Sequence, residues 1–185
     1  MPTDGNAVDP IFTVGHSTRA LEDFIAILDA HRVKLLIDVR TMPRSRHNPQ
    51  FNRETLPGHL QASSVDYLHL PQLGGLRKAQ PDSLNTAWRN LSFRGFADYM
   101  QTPEFEAGLL RVIGEAKSRS LALMCAEAVP WRCHRSLIAD SLKARGLSVF
   151  EIASATRAQP HKMTPFARVD GRRVTYPPAA ELSQP

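Results

Sequence analysis

A chain of 185 residues, 42% hydrophobic and 22% charged, is long enough to bury one core and too short for two comfortable domains. That balance excludes a disordered or coiled-coil chain, and no apolar run reaches the roughly 18 residues of a membrane-spanning helix. The formal charge of +5 and the two cysteines point to an anionic partner and to a reducing, cytoplasmic setting with free thiols.

The polar opening "MPTDGNAVDP" lacks the basic and apolar regions of a signal peptide, so none is expected. Residues 1–10 read as a flexible N-terminus. "IFTVGH", 11–16, reads as a strand ending at glycine, with Ser17 or Thr18 as the cap of a helix. Leu21, Phe24, Ile25 and Leu28 form that helix's apolar stripe. "KLLIDVR", 34–40, is a second strand, followed by the Arg-, Pro- and Asn-rich loop "MPRSRHNPQFNR". A weaker helix near 53–63 leads into "DYLHLPQLGG", a third strand running to Gly74 and Gly75.

Residues 84–120 have helical periodicity, with Thr102 and Pro103 at cap and first-turn positions. "LALMCAE", 121–127, is a fourth strand; a helix spans about 132–145 and stops at Gly146; "SVFEI", 148–152, is a fifth strand. "ARVDGRRVTY" is a hairpin signal, and residues 178–185 read as a flexible C-terminus. Alternating strands and helices predict one α/β domain over 11–177. Its mostly parallel sheet has about five strands, helices on both faces, and a C-terminal hairpin. An open doubly wound sheet is the first expectation and an irregular barrel the second.

In either form the loops leaving the carboxyl ends of the strands share one edge, where ligands bind. The unusual polar residues fall there: His16 and Ser17, Asp38 and Arg40, Gly74 and Gly75, Cys125 and Glu127. Alternation puts Asp38 and Arg40 on one side of their strand. Helical spacing lets Cys133 and His134 face the same volume as Cys125 and Glu127.

Four chemistries compete for this constellation. Cys125-x7-Cys133-His134 matches no common zinc spacing, and "CAE" lacks the second half of the zinc-deaminase signature, so no metal ligand is assigned. A sulfurtransferase-like or phosphatase-like thiolate is the second reading. A carboxylate and a proline inside Cys125–Arg132 spoil an anion cradle there, and Cys133, beside His134 and Arg135, is the better candidate for a lowered thiol pKa. The third is a polar pocket in which Arg40, Arg44 and Arg135 hold an anion. Glu127 and His134 then serve as general acid and base, with Asp38 as an orienting partner. The fourth is an ordinary strand–helix junction with Glu127 as a buried counter-ion of arginine. No phosphate loop or dinucleotide fingerprint occurs, so no cofactor is named; oligomeric state is not legible.

Several longer motifs carry a resemblance. "TVGHST", "LLIDVRTMPRSR", "FN", "YLHLPQLGG", "RGFADYM", "CAEAVPWRCHRSLIA" and "VTYPP" resemble, in order from about residue 11 to 177, the bacterial and archaeal family known as domain of unknown function 488. The resemblance implies one α/β domain. It also implies a functional set of His16, Ser17, Asp38, Arg40, Pro43, Arg44, Ser45, Gly74, Gly75, Cys125, Glu127, Cys133, His134 and Arg135. It chooses no substrate. The reading that follows is an enzyme acting on an anionic, phosphate-bearing small molecule or nucleic acid. A non-catalytic binding module and a metal- or thiol-dependent enzyme are the alternatives.

Overall fold

The computed structural model describes residues 8–179, so the ends expected to be flexible lie largely outside the described residues. Five short strands form a parallel sheet: β1 (Ile11–Gly15), β2 (Leu35–Asp38), β3 (Asp66–His69), β4 (Leu121–Cys125) and β5 (Val149–Ser154). A sixth strand, β6 (Arg157–Pro160), folds back antiparallel onto β5, and the order across the sheet is β3-β2-β4-β1-β5-β6. The central strand β4 is buried at every position, as expected for a parallel strand covered on both faces.

Alternation sorts the side chains. Ala122 and Met124 join Val14 and Leu36 beneath α1 (Leu21–Ala30) and α2 (Leu56–Gln61). Leu121, Leu123 and Cys125 face the other way, with Ile37 and Val39. There they meet α3 (Leu91–Tyr99), α4 (Pro103–Ala116) and α5 (Arg135–Ala144). The sheet is therefore doubly wound, with helices on both faces. The hairpin of β7 (Arg168–Asp170) and β8 (Arg173–Thr175) turns through Gly171, whose φ of +58° suits glycine. It delivers Val174 and Tyr176 to the α5 side of the core.

Local chemistry sets the ends. Thr102 accepts a hydrogen bond from the Phe105 N–H at 3.3 Å and Pro103 opens α4; Asn90 caps α3. The helical stretch expected over 84–120 is thus two helices, broken at Met100–Thr102. The expected cap of α1 at Ser17 or Thr18 is absent: the helix starts at Leu21, behind Ala20. The last helix begins at Arg135, after a separate 3-10 turn over Pro130–Arg132. Gly146, at φ +80°, ends it.

Candidate functional site

All the edge residues named from sequence lie at the carboxyl ends of β1, β2 and β4 or in the loops that follow β1, β2, β3 and β4. They do not form one pocket. Register decides this: Asp38 pairs with Met124, and Gly15 with Cys125. Asp38 and Cys125 therefore point to opposite faces, and two separate clusters result.

The first cluster is on the α1–α2 face. Asp38 is fully buried and grips Arg40: Oδ1 accepts from Arg40 Nε at 2.9 Å and Oδ2 from Nη2 at 2.7 Å. The Tyr67 hydroxyl donates to the same Oδ2 at 2.6 Å. Arg40 Nη2 also donates to the Phe51 carbonyl at 2.7 Å, and Nη1 to His16 Nε2 at 3.1 Å. A guanidinium can only donate, so His16 Nε2 is the acceptor and its proton sits on Nδ1, which donates to the Ser17 carbonyl at 2.8 Å. Burial lowers the His16 pKa to about 4, so the ring is neutral, and it stacks on Phe51 with centroids 4.2 Å apart.

Above this layer is an open cleft of about 380 Å³ whose walls include His16, Ser17, Arg40, Arg44, Asn48 and Glu127. Ser17 holds φ at +51°, a left-handed conformation rare for a non-glycine residue, and strain of this kind concentrates at functional sites. Arg44 is exposed and pairs with exposed Glu54 at 3.2 Å. Ser45 ties the loop together, accepting from the Asn48 N–H at 3.0 Å while its own N–H donates to Asn52 at 2.6 Å.

Glu127 requires a correction. Its carboxylate is exposed, with Oε1 accepting from the Val129 N–H at 3.1 Å. It is not a buried counter-ion of Arg135 or Arg40; only its carbonyl meets Arg135. That carbonyl is pinned over β1, because a Cβ on Gly15 would sit 2.0 Å from it.

The second cluster is on the α5 face. Cys125 and Cys133 are buried free thiols, and both sulfurs meet Arg135, whose backbone N–H donates to Cys133 Sγ at 3.5 Å. Arg135, 1% exposed, donates through Nη1 to Cys125 Sγ at 2.8 Å and to the Glu127 carbonyl, and through Nη2 to the Ala128 carbonyl at 3.0 Å. Arg135 is therefore spent inside the fold and does not reach the cleft. The thiol held low is Cys125, not Cys133. The hydrogen bond from Cys133, with the Arg135 charge, outweighs burial and brings Cys125 to about 7; its neighbour is pushed well up by that same bond and by burial.

His134 belongs to this cluster too. Its Nε2 donates to the Val39 carbonyl at 3.0 Å, its Nδ1 lies 3.7 Å from Cys133 Sγ, and its ring meets the edge of Phe96. Desolvation lowers it to about 4. It shares no cleft wall with Glu127, so these two do not form an acid–base pair. Gly75 lets the chain pass over this ring, since a Cβ there would come within 2.5 Å of Nδ1, and Gly74 packs on Thr41 in the same way. The glycine pair serves close approach.

Met42 and Asn48 of the cleft, and Tyr67 beneath it, were not singled out by sequence, and Thr18 only as a helix cap; a long loop gives no signal of which residues turn inward. Two larger hollows lie elsewhere. One of about 620 Å³ runs beside Glu106, Arg145 and Arg173, and one of about 560 Å³ beside Trp88, Trp131 and His161. Neither contains an edge residue named from sequence, and Arg145 is paired with Glu106. Among the described residues no group of three or more His, Cys, Asp or Glu side chains is placed to hold a metal ion. No helix among them is long and apolar enough to cross a membrane.

The family described as "Domain of unknown function DUF488" matches residues 20–142, and the chain belongs to it. The matched segment contains Asp38, Arg40 and the whole thiol cluster, and starts just after His16 and Ser17. No curated protein and no solved structure matches the chain.

Proposed function

We propose that this member of the DUF488 family is an enzyme acting on a substrate with an anionic, phosphate-type group, bound in the cleft above Arg40. The observation that carries the reading is the state of that guanidinium. Of its five N–H donors, Nε and Nη2 are used by Asp38 and Phe51, and one Nη1 hydrogen by His16. The remaining Nη1 hydrogen belongs to a side chain that lines the cleft and is held rigid on every other side. Fixed donors of this kind favour an oxyanion at little ordering cost. Arg44, Ser17, Ser45 and Asn48 supply further donors around it.

Glu127 stands in the same wall, where an anion-binding module gains nothing from a carboxylate. It suits a general acid or base that moves a proton at the bound group. His16 is a positioning residue: both its nitrogens are occupied, and it fixes Arg40 and the strained Ser17 backbone. On this reading the protein works in the cytoplasm, where two cysteines persist as thiols.

Calorimetric titration with inorganic phosphate, a nucleoside monophosphate and a 5′-phosphorylated oligonucleotide tests the reading. Wild type should bind at least one of them. Arg44→Ala should weaken that binding about tenfold, the scale of one charged hydrogen bond. Glu127→Gln should keep the affinity and lose phosphoester turnover. A non-catalytic nucleic-acid module would instead bind only the oligonucleotide, lose affinity steeply with salt and tolerate Glu127→Gln. That result, or no binding of any of the three, removes the proposal.

A further inference from the structure

Arg135 is a buried cation without a carboxylate. None of the ion pairs among the described residues includes it, and its Nε has no partner. Its contacts are two backbone carbonyls and one ionisable atom, Cys125 Sγ, at 2.8 Å. A buried charge is tolerated when an opposite charge meets it, and the thiolate of Cys125 is the opposite charge in reach. Cys133 completes the arrangement: its sulfur accepts the backbone N–H of the same Arg135 at 3.5 Å and lies 3.7 Å from His134 Nδ1.

We infer that Cys125 and Cys133 form a thiol–disulfide exchange site, with Cys125 as the resident thiolate nucleophile and Cys133 as the resolving thiol, acting on a low-molecular-weight disulfide. The site lies on the opposite face of the sheet from Asp38, and the loop whose Ala126, Glu127 and Ala128 line the cleft also roofs the sulfurs. The lowering of Cys125 to about 7 agrees with the ion pair.

The exchange balances. Cys125 S⁻ attacks one sulfur of R–S–S–R, forming Cys125–S–S–R and releasing RS⁻. Cys133 then attacks the Cys125 sulfur, forming the Cys125–Cys133 bridge and releasing the second RS⁻. The Cys133 proton passes to that leaving sulfur, with His134 Nδ1 as the relay. Two protein thiol sulfurs are oxidised and one disulfide is reduced to two thiols. The bridge leaves Arg135 without its counter-ion, so the oxidised form is disfavoured relative to the thiolate form and is readily re-reduced. Access runs through the loop that covers the sulfurs, whose Ala126, Glu127 and Ala128 are exposed and whose Trp131 is 69% exposed.

The test treats the full-length protein with glutathione disulfide and maps the products by peptide mass analysis. Wild type should gain an intrachain bridge. Cys133→Ser should stop at a mixed disulfide on Cys125, and Cys125→Ser should react at least about tenfold more slowly, because its remaining thiol is protonated. Adducts on Cys133 alone, or no reaction where a free peptide thiol is fully converted, overturn the inference. Alkylation against pH gives a second readout that needs no variant. A Cys125 half-reacted near pH 7 supports the ion pair; a midpoint at or above the free-thiol value of about 8.5 refutes it.

Discussion

Asp38 and Glu127 are both carboxylates at strand ends, and burial gives them opposite weights. Asp38 is completely buried and accepts from the Arg40 backbone N–H, Arg40 Nε and Nη2, and the Tyr67 hydroxyl. Asp38→Asn strands a buried guanidinium and should cost about 3 kcal/mol, as breaking one side of a buried ion pair does. Tyr67→Phe removes one hydrogen bond to the same oxygen and should cost about 1 kcal/mol. Glu127→Gln should change stability by less than about 0.5 kcal/mol, since the carboxylate is exposed and its one contact, to the Val129 N–H, survives in the amide. The sequence reading of Glu127 as a buried counter-ion of arginine assumed burial that the fold does not impose. Urea unfolding at neutral pH ranks the three variants, and a Glu127→Gln loss as large as that of Asp38→Asn would mean the carboxylate is a strut after all.

At the scale of elements, the two clusters are held by backbone approaches that only glycine permits. A Cβ on Gly15 would meet Glu127 O at 2.0 Å and Ala128 Cα at 2.7 Å, both backbone atoms that no rotamer change can move. Gly15→Ala should therefore push the loop after β4 off the end of β1 and cost about 3 kcal/mol, at the upper end of overpacking effects. Gly75→Ala meets a side chain instead, the His134 ring. The ring can turn at the expense of its bond to the Val39 carbonyl, for about 1 kcal/mol. Equal urea midpoints for Gly15→Ala and wild type would show that the loop is not pinned there. These approaches also mark what the sequence could and could not reveal. Five strands were legible because "LLID" and "LALMC" are apolar runs between helical stripes, and the Gly74–Gly75 pair announced close packing. Strand β6 was not, because "RAQP" is a polar edge segment ending in proline, with no alternation to detect. Nor was the division of the site into two faces. Alternation is legible within each strand, but the phase between β2 and β4 follows from the Asp38–Met124 register, and one residue of slip would have put Asp38 and Cys125 together.

For the molecule as a whole, four buried titrating groups set how stability follows pH, and their signs differ. His16 and His134 are held near 4 in the fold, chiefly by desolvation, against about 6.5 in an unfolded chain. Their neutral forms stabilise above about pH 6.5, and that contribution disappears as pH falls through 4, by about 3 kcal/mol for each ring at about 1.4 kcal/mol per unit. His161 runs the other way. Burial opposes its charge, but its bonds to Asp140 at 2.8 Å and Glu151 at 2.7 Å win and raise it to about 9. Its stabilisation is complete below about 6.5 and is lost as pH rises through 9, again about 3 kcal/mol. Cys125 offsets that loss. A thiol lowered to about 7 by Cys133 and Arg135 favours the fold increasingly between 7 and the unfolded value of about 8.5, by about 2 kcal/mol. Stability measured by urea unfolding should therefore fall steeply from pH 6.5 to 4 and by only about 1 kcal/mol from 6.5 to 9. Cys125→Ser removes the offset, so its alkaline limb should steepen to about 3 kcal/mol, whatever the variant's starting stability. A wild-type alkaline limb already as steep as that of Cys125→Ser would mean that Cys125 does not ionise in this window, and the charge of Arg135 would then be met by carbonyl dipoles alone.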